Sequence, residues 1–154
     1  LEHLAAWPGA ALLRDWQTAY LLVNAAHILG IGLLFGAIAT LDLRLLGAFR
    51  AAPLALFGPP LWRVAATGLA LAAATGFWLF TTRPAAYLEN PAFLAKLGLI
   101  FAGLLNLAVL HRRAAWGRAL AGGAVPASVR AAALASLLAW AGTVVAGRWI
   151  GFLQ

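Results

Sequence analysis

From Tyr20 to Leu41 the chain runs about 22 residues without a charged side chain. At about 1.5 Å of rise per residue, a helix of that length crosses the roughly 30 Å hydrocarbon core of a bilayer. Such a run leaves few options. In lipid the backbone polar groups have to be satisfied within the segment, so it must be a helix packed among other helices. It nevertheless contains Asn24 and His27. Polar groups are costly in hydrocarbon and usually face a partner, a cavity or a cofactor, which makes His27 the leading candidate for a functional residue.

The rest of the chain repeats the pattern. With 64% hydrophobic and 10% charged residues, the 154-residue chain reads as an integral membrane protein. The expected architecture is an all-α four-helix bundle, a single transmembrane domain over residues 1–154, with spans at about 18–41, 61–81, 92–110 and 128–152. Residues 1–16 mix Trp7, Leu12 and Leu13 with Glu2, Arg14 and Asp15, as suits a short segment in the headgroup region. Pro59-Pro60 is expected to open the second span, where a missing N–H costs nothing. Asn90-Pro91 reads as the start of the third span, and Ser128 as a cap for the fourth. Gly68, Ala72 and Gly76 recur every four residues and invite close helix approach, as does Gly32-x-x-x-Gly36 in the first span.

Four crossings put alternate connections on two faces. Arg44, Arg50, Arg63, Arg112, Arg113, Arg118 and Arg130 fall on one, Arg14, Arg83, Lys96 and Arg148 on the other. The positive-inside rule then puts both termini outside the cytoplasm, facing the periplasm if the membrane is a bacterial inner membrane. The net charge of +7 is thereby explained by topology and lipid headgroups without nucleic acid. There is no cysteine, which excludes disulfides, thiolate metal sites and redox dithiols.

Counted from Thr18, His27 lies about 13 Å into the first span, near mid-bilayer. Lys96 and Arg148 enter from the same outer side. Converging faces would set one imidazole beneath these cations, a pocket for an anionic or electron-accepting head group, or for a heme with outward propionates. The bland alternatives are that His27 hydrogen-bonds across helices and that Lys96 and Arg148 snorkel to the interface. His111 closes the third span roughly 27 Å from its start. It therefore lies at the wrong depth to pair with His27 on one heme, and reads as interfacial beside Arg112-Arg113. Asn24 shares a helix face with His27. Asp42 and Glu89 are placed at span edges, which argues against a carboxylate proton relay. No phosphate loop, nucleophile triad or zinc motif is present.

The segments PLWRVAATGLALAAATGFWLF and NPAFLAKLGLIFAGLLNLAVLHRR resemble the copper-resistance D membrane domain, at Arg63, Thr75-Gly76, Lys96, Asn106 and Arg112. The same layout is similar to the J-type membrane protoporphyrinogen oxidase, a heme-associated four-helix family with a histidine in its first span and a lysine in its third. The first span, NAAHILGIGLLFGAIATLDLRLLG, looks closest to an uncharacterised group of small bacterial membrane proteins. The first resemblance implies copper or small-ion handling, which here would rest on His3, His27 or His111. The second implies heme association.

The resulting expectation is a small redox-associated membrane protein, holding a b-type heme or a quinone in an outward pocket around His27, Asn24, Lys96 and Arg148. His27 would also be the ligand to any metal, and no catalytic residue is assigned. The alternatives are a cofactor-free accessory or structural subunit of a larger membrane complex, or a homo-oligomer, and a copper or small-ion permease.

Overall fold

The computed structural model describes residues 1–112, 114–120, 122 and 124–153. Of the positions singled out above, Arg113 lies outside the described residues. The elements are α1 (Glu2–Ala5), α2 (Pro8–Asp15), α3 (Gln17–Leu46), α4 (Leu54–Thr81), α5 (Pro84–Glu89), α6 (Pro91–His111), α7 (Ala114–Leu120) and α8 (Ala127–Trp149), followed by a 3₁₀ turn at Ile150–Phe152. Among the described residues four of these helices, α3, α4, α6 and α8 with its 3₁₀ extension, are long and apolar enough to cross a bilayer. The chain is an all-α, multi-pass membrane protein.

Several boundaries differ from expectation for local reasons. α3 continues past Asp42 and Arg44 and stops where Gly47 takes a left-handed conformation (φ 116°), its N–H and that of Ala48 both donating to Leu43 O. Glycine adopts that conformation without steric cost, which is why it closes helices. Pro59 and Pro60 do not open α4 but lie inside it, because Pro53 supplies the N-cap a turn and a half earlier and Leu54 packs into the core. Ser128 caps nothing, since α8 begins after Pro126 without a side-chain cap. Asn90 does cap α6, accepting from the N–H groups of Ala92 at 3.0 Å and Phe93 at 3.3 Å. Its own amide donates to Ile150 O at 3.3 Å, so the same side chain ties the end of α8 to the start of α6.

The bundle is a sequence of packed neighbours, α4 on α3, α3 on α8 and α8 on α6. The closest contact is backbone on backbone. A Cβ added to Gly68 would stand 2.5 Å from Leu34 N and 2.7 Å from Gly30 O, and one added to Gly30 would stand 2.7 Å from Ala72 N. The Gly68, Ala72, Gly76 stripe therefore faces α3 as expected. The partner stripe does not: a Cβ at Gly32 or Gly36 would meet nothing within 4 Å. At 100° per residue, Gly32 lies nearly opposite Gly30 on the helix, so only one of the two faces can meet α4.

On α6 the residues facing α8 alternate by three and four, as in left-handed helix pairs. Lys96 runs along Gly147, Leu99 meets Gly142, Gly103 accepts the buried Trp140 ring and Asn106 donates to Ala132 O at 2.9 Å. Leu110 ends the series in an apolar cluster with Leu45, Leu54, Ala119, Val129 and Ala133, around which the α3–α4 and α6–α8 connections gather. The residues between α6 and α8 include a short helix, α7, that touches α4, α6 and α8. At the opposite, terminal end α2 docks on α3 and α4 through Leu13, and Gly9 O accepts from the Trp78 indole at 2.8 Å.

Gly68→Ala is expected to cost about 1–3 kcal/mol of stability, the usual range for overpacking. Gly32→Ala should be tolerated within about 0.5 kcal/mol. Thermal unfolding in detergent checks both, and equal midpoints for the two variants would contradict the close approach.

Candidate functional site

His27 lies ten residues into α3, about 15 Å from its start, where α4 brings three groups against the ring. Nδ1 is 2.9 Å from Ala72 O and 3.1 Å from Thr75 Oγ1, and a Cβ at Gly76 would stand 2.8 Å from Cε1. Gly76 therefore makes the room that the imidazole fills. The partners also assign the proton. Ala72 O is a carbonyl and can only accept, so Nδ1 carries hydrogen and donates. Thr75 uses its own hydroxyl proton on Leu71 O at 2.6 Å and is left to accept as well. In the neutral ring Nε2 then keeps its lone pair, free to bind a metal or to accept a hydrogen bond. A backbone carbonyl holding Nδ1–H is the arrangement that orients ligating histidines generally.

Lys96 is half-buried on α6. Its stem lies along Gly147, where a Cβ would stand 3.6 Å from Nζ. The contacts of the two expected site groups differ, His27 packing against α4 and Lys96 against α8. Asn24, one turn before His27, is half-buried and makes no hydrogen bond to the described residues. Arg148 goes elsewhere: it is exposed, with its guanidinium 5.1 Å over the Phe152 ring. It follows Gly147 by one residue and so points about 100° away from the face that meets Lys96.

One edge of the bundle bears on access. Among the described residues α4 and α6 have no extended packing. They meet at the terminal end, where Phe80 stacks on Phe93 with centroids 5.6 Å apart and Tyr87 lies 5.2 Å from Phe93. At the other end α7 bridges them. A separate cavity of about 260 Å³ lies between α6 and α8, lined by Asn106, Leu110, Ser128 and Ala132 among others, and His27 is not part of it.

The other histidines stay apart. His3 is exposed on α1. His111 is exposed at the far end of α6, its Nδ1 2.9 Å from Leu107 O and its ring 5.0 Å from that of Trp116. Among the described residues no three His, Cys, Asp or Glu side chains gather as a metal site. Thr67, which could have joined the helices, bonds back to Arg63 O within α4.

Asp42 lies near the end of α3, as the sequence suggests, but it is covered: it is 5% exposed, because α3 runs one turn beyond it and the connections fold over that turn. Its Oδ2 has no hydrogen-bond partner. Ser136, whose hydroxyl reaches this carboxyl from α8, carries no signal in the sequence that would have singled it out.

Four packed membrane helices define a multi-pass membrane protein, and two of them carry a half-buried histidine and a half-buried lysine. The chain belongs to the family described as a family of unknown function (DUF6644), which matches residues 16–153. No curated protein and no solved structure matches it.

The tautomer is directly testable. Histidine ¹⁵N NMR of the protein in micelles should show His27 protonated on Nδ1 with a bare Nε2, and Gly76→Ala should shift both signals. A proton on Nε2 would contradict the hydrogen bond to Ala72.

Proposed function

We propose that this protein is a small redox-associated membrane protein that holds a lipid-soluble electron carrier against His27, a quinone fitting the site best. The observation carrying this reading is the Nδ1–H of His27 held on Ala72 O, which leaves Nε2 with its lone pair; Lys96 is the ammonium proposed to serve the same ligand. A quinone ring offers oxygens at both ends. The reduced form donates O–H to an acceptor such as Nε2, and either form accepts from an ammonium. A ligand from the lipid phase would enter along the α4–α6 edge, the one without extended packing among the described residues. Asn24 lies on the same face as His27 and has its amide unspent.

A b-type heme is the second reading, favoured by the Nδ1–H bond to Ala72 O, which leaves Nε2 as an axial donor. His27 would hold the iron alone, since His3 and His111 lie elsewhere. Against it stands the tight seat of the ring on Gly76. The copper reading has less support, because no set of three donors gathers among the described residues. In the cofactor-free alternative, His27 joins α3 to α4 as structural glue, a bond of about 0.6 kcal/mol on average in membrane proteins.

Solvent extracts of the purified protein are expected to contain quinone, lost in His27→Ala and reduced in Lys96→Ala. A Soret band absent from His27→Ala would instead favour heme. Retention of neither, with no thermal shift on adding quinone, would leave the structural role.

We also propose that the membrane is a bacterial inner membrane with both termini in the periplasm, from the excess of arginine on the two connections at the far end. Alkaline phosphatase fused to the C-terminus should be active, and an active cytoplasmic reporter at that position would reverse the orientation.

A further inference from the structure

Glu2, Asp15 and Glu89 are exposed, whereas Asp42, the remaining acid of four, is buried inside a membrane span. A carboxylate accepts hydrogen bonds only and has about four lone-pair positions to satisfy. Ser136 on α8 is the hydroxyl that bears on this carboxyl, and Oδ2 is without a partner. Among the described residues no cation compensates. Arg44, two residues on, spends its guanidinium on Ala52 O at 2.7 Å and Arg50 O at 3.3 Å, and Arg130 on α8 donates to Leu46 O at 3.2 Å. Arg63 on α4, His111 on α6 and Arg118 on α7 are exposed. What the neighbouring elements turn inward here is apolar: Leu54 from α4, Leu110 from α6, Ala119 from α7 and Val129 from α8.

An acid so placed is a functional group until shown otherwise, since charged side chains in the bilayer are rare and face partners or pathways. The ligand it lacks has to be small. A metal ion would need a shell of oxygens, and no further carboxylate is present in the spans. A proton needs only Oδ2. Asp42 stands four residues before the end of α3, about 6 Å from the arginine-rich end of the bundle. The α3–α8 contact that covers it is also the least extensive of the three packed edges.

We propose that Asp42, with Ser136 as its hydroxyl partner, is a proton-binding site that exchanges with water at the connection end of the bundle. The carboxylate takes H⁺ from water, an O–H bond forms at Oδ2, and the same bond breaks on release. Electrons are not involved, and the site stands independently of what His27 holds.

The chain has two aspartates, Asp15 and Asp42, so a ¹³C label on aspartate Cγ gives two NMR signals. In the folded protein in lipid nanodiscs the Asp42 signal, identified by its loss in Asp42→Asn, is expected to titrate in a pH range separate from that of exposed Asp15. Ser136→Ala should move that range while leaving the Asp15 signal unchanged. The Ser136→Ala comparison carries the test if Asp42→Asn does not fold. A signal constant over the whole pH range in which the protein stays folded would overturn the proposal, as would titration together with Asp15 or indifference to Ser136→Ala.

Discussion

The close approach of α3 and α4 at Gly30 and Gly68 sets the geometry on which the rest depends. Without a hydrophobic driving force between helices in lipid, association rests on close packing and interhelical hydrogen bonds. A crossing with backbone against backbone supplies the first and makes the second possible. His27 lies one turn from Gly30, and Ala72 one turn from Gly68, so the crossing brings the imidazole to within bonding distance of a carbonyl on the facing helix. A larger residue at either glycine would separate the helices by more than that bond tolerates.

The same chain solves its two halves differently. The α3–α4 pair uses glycine, whereas α6 and α8 meet through a graded series in which lysine, leucine, tryptophan and asparagine each find a small residue or a carbonyl opposite. Because α3 also packs on α8, the halves share one wall. The remaining edge, between α4 and α6, is closed by aromatic rings at one end and by α7 at the other.

Much of this was legible in the sequence because hydrocarbon imposes simple rules. Length and apolarity located the spans, Asn90-Pro91 announced a cap, and the four-residue glycine stripe announced the α4 contact face. His27 and Lys96 were recognisable as polar groups needing an explanation. The misreadings share a cause, which is that local rules took no account of tertiary cover. Asp42 looked terminal because a charge commonly ends a span, yet the connections fold over it. Pro59-Pro60 looked like a start because the Pro53 cap was hidden in a short link. Gly32 and Gly36 had the right spacing on the wrong face, and choosing between glycine pairs requires the partner helix. Ala72 O, the group that fixes the His27 tautomer, is a backbone atom with no side-chain signature.

The contacts that finish the terminal end are long in sequence. Trp78 bonds to Gly9 across 69 residues, and Asn90 to Ile150 across 60. The glycine crossing joins neighbouring spans and is available as soon as α4 inserts, and the Trp78–Gly9 bond becomes available with it because Trp78 lies on α4. The α6 cap gains its second partner only when α8 has been made. Biogenesis thus has a built-in order, with the N-terminal helices and the α3–α4 hairpin first and the α6–α8 tie last.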